Sequence, residues 1–285
     1  MRIYLSILFM VLITVSLTGC SKLQQNILAP QPSQGDIHPA GWTDMNSPNF
    51  HGKFIKNNHY DLSTCATCHG NDFKGGTAGK SCYTCHQGIN GPLSCNTCHG
   101  DSTGIAPPVD LSGNTGSESP GVGAHRVHLS GGFISSGVRC SSCHVVPQKA
   151  GPGIHPFGVP AIVAFSGLST VATNTPSSQY YDSTQPTISP APFFNSQTLS
   201  CSNTYCHGNF KNGNNFSPKW TGGHDQAACG TCHGIPPNNS VHKGQTIQTC
   251  FKCHYPTLKD SNGTMVDSTH INGKLNLYGH ELTVW

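Results

Sequence analysis

Charged residues are scarce in this chain of 285 residues, at 9% of the total, and no run of lysine or arginine occurs. Proteins that bind nucleic acid carry clustered basic side chains, so we expect no nucleic-acid partner. Hydrophobic residues are also few, at 35%, whereas 33 glycines and 20 prolines are present. This composition favours loops over an ordinary apolar core, so the polypeptide alone has little to fold around.

Long apolar runs are missing too, except for one near the N-terminus, from Ile3 to Leu17. A basic start followed by a short apolar run is typical of a secretory signal peptide, and no other segment is apolar enough to span a bilayer. The ending Leu17-Thr18-Gly19-Cys20 resembles a bacterial lipobox, which implies cleavage before Cys20 and lipid on its sulfur. A plain signal peptide with an incidental cysteine is the alternative.

Cysteine and histidine, by contrast, are abundant and stand in a fixed relation. Six cysteine pairs follow the pattern Cys-x-x-Cys-His, and a seventh pair has four residues between its cysteines. The pattern is typical of c-type haem attachment, because two thiols on one turn bond the two vinyl groups and the next residue faces the iron. The predicted haem-bearing pairs are Cys65 and Cys68, Cys82 and Cys85, Cys95 and Cys98, Cys140 and Cys143, Cys201 and Cys206, Cys229 and Cys232, and Cys250 and Cys253, and the predicted proximal ligands are His69, His86, His99, His144, His207, His233 and His254.

Seven sites predict seven covalently attached haems c, with two alternatives to weigh. A disulfide between Cys201 and Cys206 would leave six haems, although Tyr205-Cys206-His207-Gly208 resembles the ends of the other motifs. Zinc also binds Cys-x-x-Cys knuckles, but a zinc ribbon does not need histidine directly after the second cysteine. The repeated histidine therefore favours haem.

The fold class predicted from these features is a multihaem cytochrome c. It should be loop-rich, with short helices at the attachment sites and few strands. Stacked haems would form the core that the apolar residues cannot. Ionised haem propionates would also make the mature protein acidic, although the formal charge of the chain is +3.

Histidine is the expected second axial ligand. Two of the four methionines lie in the predicted signal peptide, so only Met45 and Met265 could compete. Ligation by two imidazoles stabilises ferric iron, so we expect low potentials. Any single candidate has a surface histidine as its alternative. The predicted distal ligands are His51, His125, His128, His155, His224, His242 and His270, with His59 as the first substitute and His38 and His280 as weaker ones.

The motifs also organise the chain. Only eight residues separate His86 from Cys95, which limits that span to about 30 Å and brings neighbouring haems close. The predicted segments are a signal peptide at 1–19, a lipid-anchored tether at 20–50, an N-terminal three-haem region at 51–130, a fourth haem site with a Ser/Thr/Pro-rich excursion at 131–200, and a C-terminal three-haem region at 201–285.

Two stretches contain the same sequence features in the same order, which predicts a duplicated two-haem unit. Each begins with a Cys-x-x-Cys-His-Gly motif, continues with a Pro-Pro pair and a histidine, and then reaches a second motif and a later histidine. The repeat matches His128 with His242 and His155 with His270.

The mixture of Cys-x4-Cys-His with Cys-x-x-Cys-His, together with His-x-x-Gly elements, resembles the multihaem c-type cytochrome lipoproteins of metal-reducing deltaproteobacteria such as Geobacter. The resemblance covers roughly residues 50–275 and is most specific from Cys201 to His254. It implies extracytoplasmic electron transfer toward insoluble metal oxides or other extracellular acceptors. The implied partners are other multihaem cytochromes or outer-membrane porin-cytochrome components, and Ser21 after Cys20 implies an outer-membrane lipoprotein on the periplasmic or cell-surface face.

The leading hypothesis is a heptahaem electron carrier with closely spaced, low-potential haems, rather than an enzyme with its own substrate. A multihaem reductase of a small oxyanion such as nitrite is the first alternative, and it requires an iron with an open position. A cytochrome filament subunit is the second, and a lipid on Cys20 argues against it.

Overall fold

The computed structural model describes residues 37–100, 109–110, 112–147 and 161–283. Loops and turns make up most of them, which confirms the loop-rich fold predicted from composition. They form two compact units, at 37–57 and 58–283. The predicted signal peptide, Cys20 and His155 lie outside the described residues, and the five-segment division stays a prediction.

All helices of the described residues are short. The α-helices are α1 (His51–Asn57), α2 (Ser63–His69), α3 (Cys95–His99), α4 (His125–Ser130) and α5 (Ile247–His254). The 3-10 helices span Gly76–Ala78, Cys82–Thr84, Gly91–Leu93, Cys140–Ser142, Gly167–Thr170, Tyr205–His207 and His224–Ala227. None of the helices in this part of the chain has the length and apolarity needed to cross a bilayer.

Short helices do occur at the haem motifs, but not at every one. Three motifs lie in α2, α3 and α5, and three overlap 3-10 helices, whereas residues 229–233 form a turn. The best-defined helix start is that of α5, where Thr246 and Thr249 form a capping box. The Thr246 backbone N–H donates to Thr249 Oγ1 at 3.0 Å, and the helix then carries Cys250 and Cys253 within one turn.

Strands in the described residues form two small antiparallel sheets. In the first, β1 (Phe193–Asn195) pairs with β2 (Ser200–Ser202), and Phe194 lies opposite Cys201. In the second, β3 (Leu275–Leu277) pairs with β4 (His280–Leu282). The first sheet therefore holds one haem-motif cysteine on a strand.

The protein core of the described residues is small. Only three hydrophobic side chains are buried, namely those of Phe73, Val122 and Tyr205. Part of the Ser/Thr/Pro-rich excursion is instead organised by the fully buried Asn174, whose Nδ2 donates to three backbone carbonyls between residues 182 and 186. Polar satisfaction of this kind orders a loop without an apolar core.

Candidate haem sites

Four of the motif histidines lie opposite a histidine from outside the motifs. In each pair the ring centroids are 6.0 to 6.3 Å apart, and the two residues come from separate segments. The pairs, with the motif histidine first, are His144 with His125, His207 with His128, His233 with His270, and His254 with His242. Each pair therefore sets two imidazoles beside a haem-motif cysteine pair.

The separation of the paired rings fits one metal ion between them. Metal–imidazole bonds of about 2 Å on both sides, with roughly 1.2 Å from each ring nitrogen to its ring centre, would set the centroids about 6.4 Å apart. The observed 6.0 Å for His128–His207 and 6.3 Å for His233–His270 agree with that separation. These residues thus fit the two axial positions of a haem iron.

The pairs differ in the angle between their ring planes. The planes are close to parallel in His125–His144, at 27°, and in His242–His254, at 14°. They are close to perpendicular in His128–His207, at 70°, and in His233–His270, at 71°. The same ligand chemistry is therefore presented in two geometries.

Hydrogen bonds orient the paired rings. Seven of the eight rings have Nδ1 within 2.6 to 2.9 Å of an oxygen. Because that oxygen only accepts, Nδ1 carries the proton and donates it, which leaves the lone pair of Nε2 for a metal. The acceptors are the backbone carbonyls of Val122, Ala124, Ile162, Gly234, Asn276 and Ile134, and Oδ1 of Asn239.

Burial favours the neutral form of five of the paired imidazoles by lowering their pKa, as metal ligation requires. It lowers the pKa of His125 to about 4, and the neighbouring imidazoles of His144, His128 and His99 act in the same direction. Burial, followed by the neighbouring His128, lowers the pKa of His207 to about 4. Burial also lowers the pKa of His242, His254 and His270.

No disulfide links the motif cysteines of the described residues, so the structure does not contain the Cys201–Cys206 disulfide considered above. Burial, followed by the nearby Cys143, raises the pKa of Cys206 to about 12 and that of Cys201 to about 11. Cys232 also contributes at Cys206, so thiols of three successive motifs lie close together. No group of three His, Cys, Asp or Glu side chains that could hold a metal ion occurs among the described residues.

The sites at Cys201–His207 and Cys229–His233 are joined by the loop between them. The Asn214 backbone N–H donates to the Cys232 carbonyl at 2.9 Å, and Asn214 Nδ2 donates to two further carbonyls of the Cys229–His233 motif. Gly208 has a φ of +96°, and a Cβ there would overlap the Cys232 carbonyl oxygen. Only glycine allows this approach, so residues 201–233 form one linked segment.

The same segment is the part of the chain that matches a known family. Residues 200–233 match the family described as the Geobacter CxxxxCH...CXXCH motif. The match contains the cysteines and histidines of the fifth and sixth motifs. The match supports a multihaem c-type cytochrome of this type. No curated protein and no solved structure matches the chain.

The fourth motif, Cys140–His144, is held by the segment 162–166. The Ala164 N–H donates to the Cys143 carbonyl at 2.8 Å, and the Ser166 N–H donates to the Ser142 carbonyl at 3.0 Å. Val163 forms an antiparallel bridge with His144, whose Nδ1 donates to the Ile162 carbonyl. This segment thus fixes both the attachment turn and the tautomer of its histidine.

Helix α4 carries one member of each of two pairs. His125 and His128 are three residues apart and therefore lie on one face of the helix. The chain after α4 turns through a bridge between Gly131 and Ser136, and the Ile134 carbonyl in that turn accepts from His270 Nδ1. A single stretch of about twelve residues therefore touches three histidine pairs.

Asn276 on β3 connects the two C-terminal pairs. It is almost fully buried, and its side-chain Nδ2 donates to the carbonyl of Thr269, the residue before His270. Its own carbonyl accepts from His254 Nδ1 at 2.9 Å. The sequence patterns did not single out Asn276, and no motif signals its role.

The first motif shares the hydrogen-bond arrangement of the paired rings. His69 Nδ1 donates to the Lys80 carbonyl at 2.8 Å, so Nε2 is the ring nitrogen that carries the lone pair. The Cys82 N–H donates to the carbonyl of the buried Phe73. Burial and then the thiol of Cys65 raise the pKa of Cys82, so the first two attachment sites are neighbours. His86 follows the second motif's 3-10 helix and His99 ends α3.

The second cysteines of these first two motifs are placed differently from the first ones. Cys68 and Cys85 are exposed, whereas Cys65 and Cys82 are partly buried. The Cys68 carbonyl accepts from Thr77 Oγ1 at 3.2 Å, and the Cys85 N–H donates to the Cys82 carbonyl at 3.3 Å, so only backbone groups of the two residues are held in these bonds. The polypeptide therefore does not enclose the thiols of Cys68 and Cys85 as it encloses that of Cys206, and haem attachment at these two residues stays a prediction from the motif.

In the unit at 37–57, His51 begins α1 and has the same hydrogen-bond arrangement. Its Nδ1 donates to the Trp42 carbonyl at 2.8 Å, and its ring contacts those of Trp42 and Phe50. His38 also stacks in this unit, with its ring centroid 4.5 Å from that of Trp42. His51 is therefore oriented in the way the other candidate ligands are.

The remaining candidates behave differently. His224 lies against Phe133, with 6.3 Å between ring centroids, and no contact with a motif histidine is seen for it among the described residues. His59 and His280 are exposed. The alignment of the two predicted two-haem units changes, because His125, not His128, corresponds to His242. His125 pairs with His144 and His242 pairs with His254, the histidine of the second motif in each unit. His128 instead pairs with His207 of the additional site.

Proposed function

We propose that this cytochrome transfers electrons through seven covalently attached, low-potential haems c with two histidine ligands at most or all irons. It would act as a lipoprotein of the outer membrane, anchored through Cys20, in extracellular or metal-oxide respiration. Other multihaem cytochromes or outer-membrane porin-cytochrome components are its proposed partners. Stacked haems would form the core that the few buried side chains of the polypeptide do not supply.

One observation carries the proposal: the four histidine pairs follow one another through direct protein contacts. His125 and His128 share α4, so the first two pairs are adjacent. The loop containing Gly208 and Asn214 joins the second site to the third. Asn276 then joins the third to the fourth. A continuous series of closed sites is what an electron carrier needs, because each transfer requires a close neighbour.

The residues of the chain have three tasks at such sites. The cysteine pairs attach haem, whose iron supplies a one-electron ferric/ferrous couple when bound. The Nδ1 hydrogen bonds orient seven of the eight paired imidazoles so that Nε2 is the nitrogen available to the iron, and little rearrangement would then accompany a change of charge. Where haem is bound, the two histidines of a pair would hold its iron, which would exclude water and substrate and favour the ferric state, so the potentials should be low.

The seventh haem rests on the Cys201/Cys206 site. No disulfide joins its cysteines, and His207 lies opposite His128 with 6.0 Å between ring centroids, as in the three regular sites with paired histidines. The two extra residues between the cysteines therefore keep the spacing of the paired rings. This likeness supports haem attachment at the Cys201/Cys206 motif as well.

The intact mass and the ferric spectrum of the purified mature protein test the proposal. Seven haems add about 4.3 kDa to the polypeptide, and the spectrum should be that of low-spin iron with two imidazoles. A reductive titration should show full reduction only at low potential. A high-spin ferric signal that changes on addition of nitrite would contradict the proposal and support the reductase alternative.

The location is tested separately by membrane fractionation. Wild-type protein should sediment with outer membranes, and Cys20→Ser should release it, because the lipid would be lost. If the Cys20→Ser protein fractionates as the wild type does, lipid anchoring is contradicted. The proposal on electron transfer is unaffected by that result.

A further inference from the structure

Trp220 lies between two of the candidate iron ligands. Its ring centroid is 4.7 Å from that of His125, with the rings perpendicular, and 5.7 Å from that of His128, with 30° between the planes. These two histidines belong to different pairs, with His144 and His207 respectively. The indole is therefore in contact with one ligand ring of each of two neighbouring sites.

The backbone of Trp220 is anchored to the strand that carries Cys201. Lys219, the residue before Trp220, forms a bridge with Ser200, and the Cys201 N–H donates to the Pro218 carbonyl at 3.0 Å. The position of the indole is thus tied to β2, and through it to the attachment point of the haem that His128 and His207 would ligate.

The indole is also fixed from the side of α4. Its Nε1 donates to the Pro120 carbonyl at 2.8 Å, five residues before the helix. Gly123 has a φ of +44°, and a Cβ there would overlap Trp220 Nε1. The backbone that leads into α4 therefore closes over the indole, and a side chain at 123 would displace it.

We propose that Trp220 is a positioning residue that sets the ring orientation of two distal ligands, His125 and His128, at two neighbouring haem sites at once. The inference rests on the proposed ligation by paired histidines. It goes beyond that ligation because Trp220 contacts two of the proposed ligands and is not itself one of them. Its edge and face contacts restrict the rotation of two imidazoles that Nδ1 hydrogen bonds alone leave free to pivot.

Electron paramagnetic resonance of the ferric protein reports on the ring orientation at each site. A general loss of stability would not change the signals of two particular sites and leave the others unchanged. The shape of a low-spin signal depends on the angle between the two ligand planes. Near-parallel planes give a rhombic signal, and near-perpendicular planes give a signal with a large maximal g-value. His125–His144 at 27° and His128–His207 at 70° should give one of each.

The experiment compares Trp220→Leu with wild-type protein at equal haem content, checked by intact mass. We expect one rhombic and one large-g signal to shift or broaden together, while the signals of the pairs His242–His254 and His233–His270 persist. Trp220→Phe should restore the two signals in part, because a smaller ring keeps the contact but lacks the Nε1 donor. Should Trp220→Leu fail to mature, Trp220→Phe carries the test through the same two signals.

Phe193→Leu is the matched control. It removes an exposed aromatic ring from β1, the strand that pairs with β2, and should leave all four signals unchanged. An unchanged Trp220→Leu spectrum, or a change confined to one signal class, would overturn the role of Trp220. A wild-type protein without low-spin signals of this kind would instead overturn the proposed ligation itself, so the two failures are distinguishable.

Discussion

Two histidines of the C-terminal region allow a matched test of the ligand pairs. His242 and His270 each lie with their ring centroids 6.3 Å from a motif histidine, but the ring planes differ by 14° in one pair and by 71° in the other. Both rings donate through Nδ1, to Asn239 Oδ1 and to the Ile134 carbonyl. His242→Leu and His270→Leu therefore remove equivalent ligands from sites of different geometry.

Each substitution should convert one haem to the high-spin ferric state. With seven haems bound, roughly one seventh of the ferric iron should leave the low-spin population. His242→Leu should remove a rhombic signal, because its pair is near parallel. His270→Leu should remove a large-g signal, because its pair is near perpendicular. Spin-quantified electron paramagnetic resonance, with the intact mass as a measure of haem content, distinguishes the two.

His280→Leu is the control, since His280 is exposed on β4, close in sequence to the same region. It should leave every signal in place. The reasoning is refuted if His270→Leu keeps all low-spin iron at full haem content, or if both ligand variants remove the same signal. A loss of the signal of either C-terminal pair in His280→Leu would equally show that the ring distances do not identify the ligands.

Three further predictions concern how the sites are built. Gly208→Ala should destabilise the protein by about 1–3 kcal/mol, because a positive φ and the Cys232 carbonyl both oppose a Cβ. Denaturant unfolding measures the loss. Gly113→Ala is the control: its φ is +90° but no atom lies near its Cβ, so it measures the cost of the backbone conformation alone. Asn276→Ala should lower the free energy of unfolding by about 1–3 kcal/mol, because the Thr269 carbonyl loses its donor. It should also broaden the paramagnetic resonance signal of the His233–His270 pair more than that of the His242–His254 pair. Equal broadening of the two signals would argue against this role of Asn276. Replacing both Cys201 and Cys206 by Ser should lower the intact mass by about 0.6 kDa, the mass of one haem, whereas an unchanged haem content would show that this motif carries none.

The local part of each site could be read from the sequence, and the long-range part could not. Cysteine spacing and the following histidine lie within one turn, so the pattern itself identifies the motif. The partner of a motif histidine depends on how distant segments meet: Ile134 and His270 are 136 positions apart, and Trp220 and Pro120 are 100 apart. Such contacts leave no periodic signal, which is why the repeat suggested His128 where His125 corresponds to His242.

The wider spacing of the fifth motif has a structural reason. In a Cys-x-x-Cys-His motif both thiols come from one turn, but Cys201 lies on β2 and Cys206 on the 3-10 helix Tyr205–His207. Asn203, with a φ of +55°, reverses the chain between the two elements, a conformation that asparagine tolerates better than most residues. The extra two residues are therefore the length needed to pass from strand to helix while His207 still follows its cysteine. The strand also positions Trp220, which a single turn could not do. Pairing of β2 with residues 218–219 places Trp220 against the two histidines of α4.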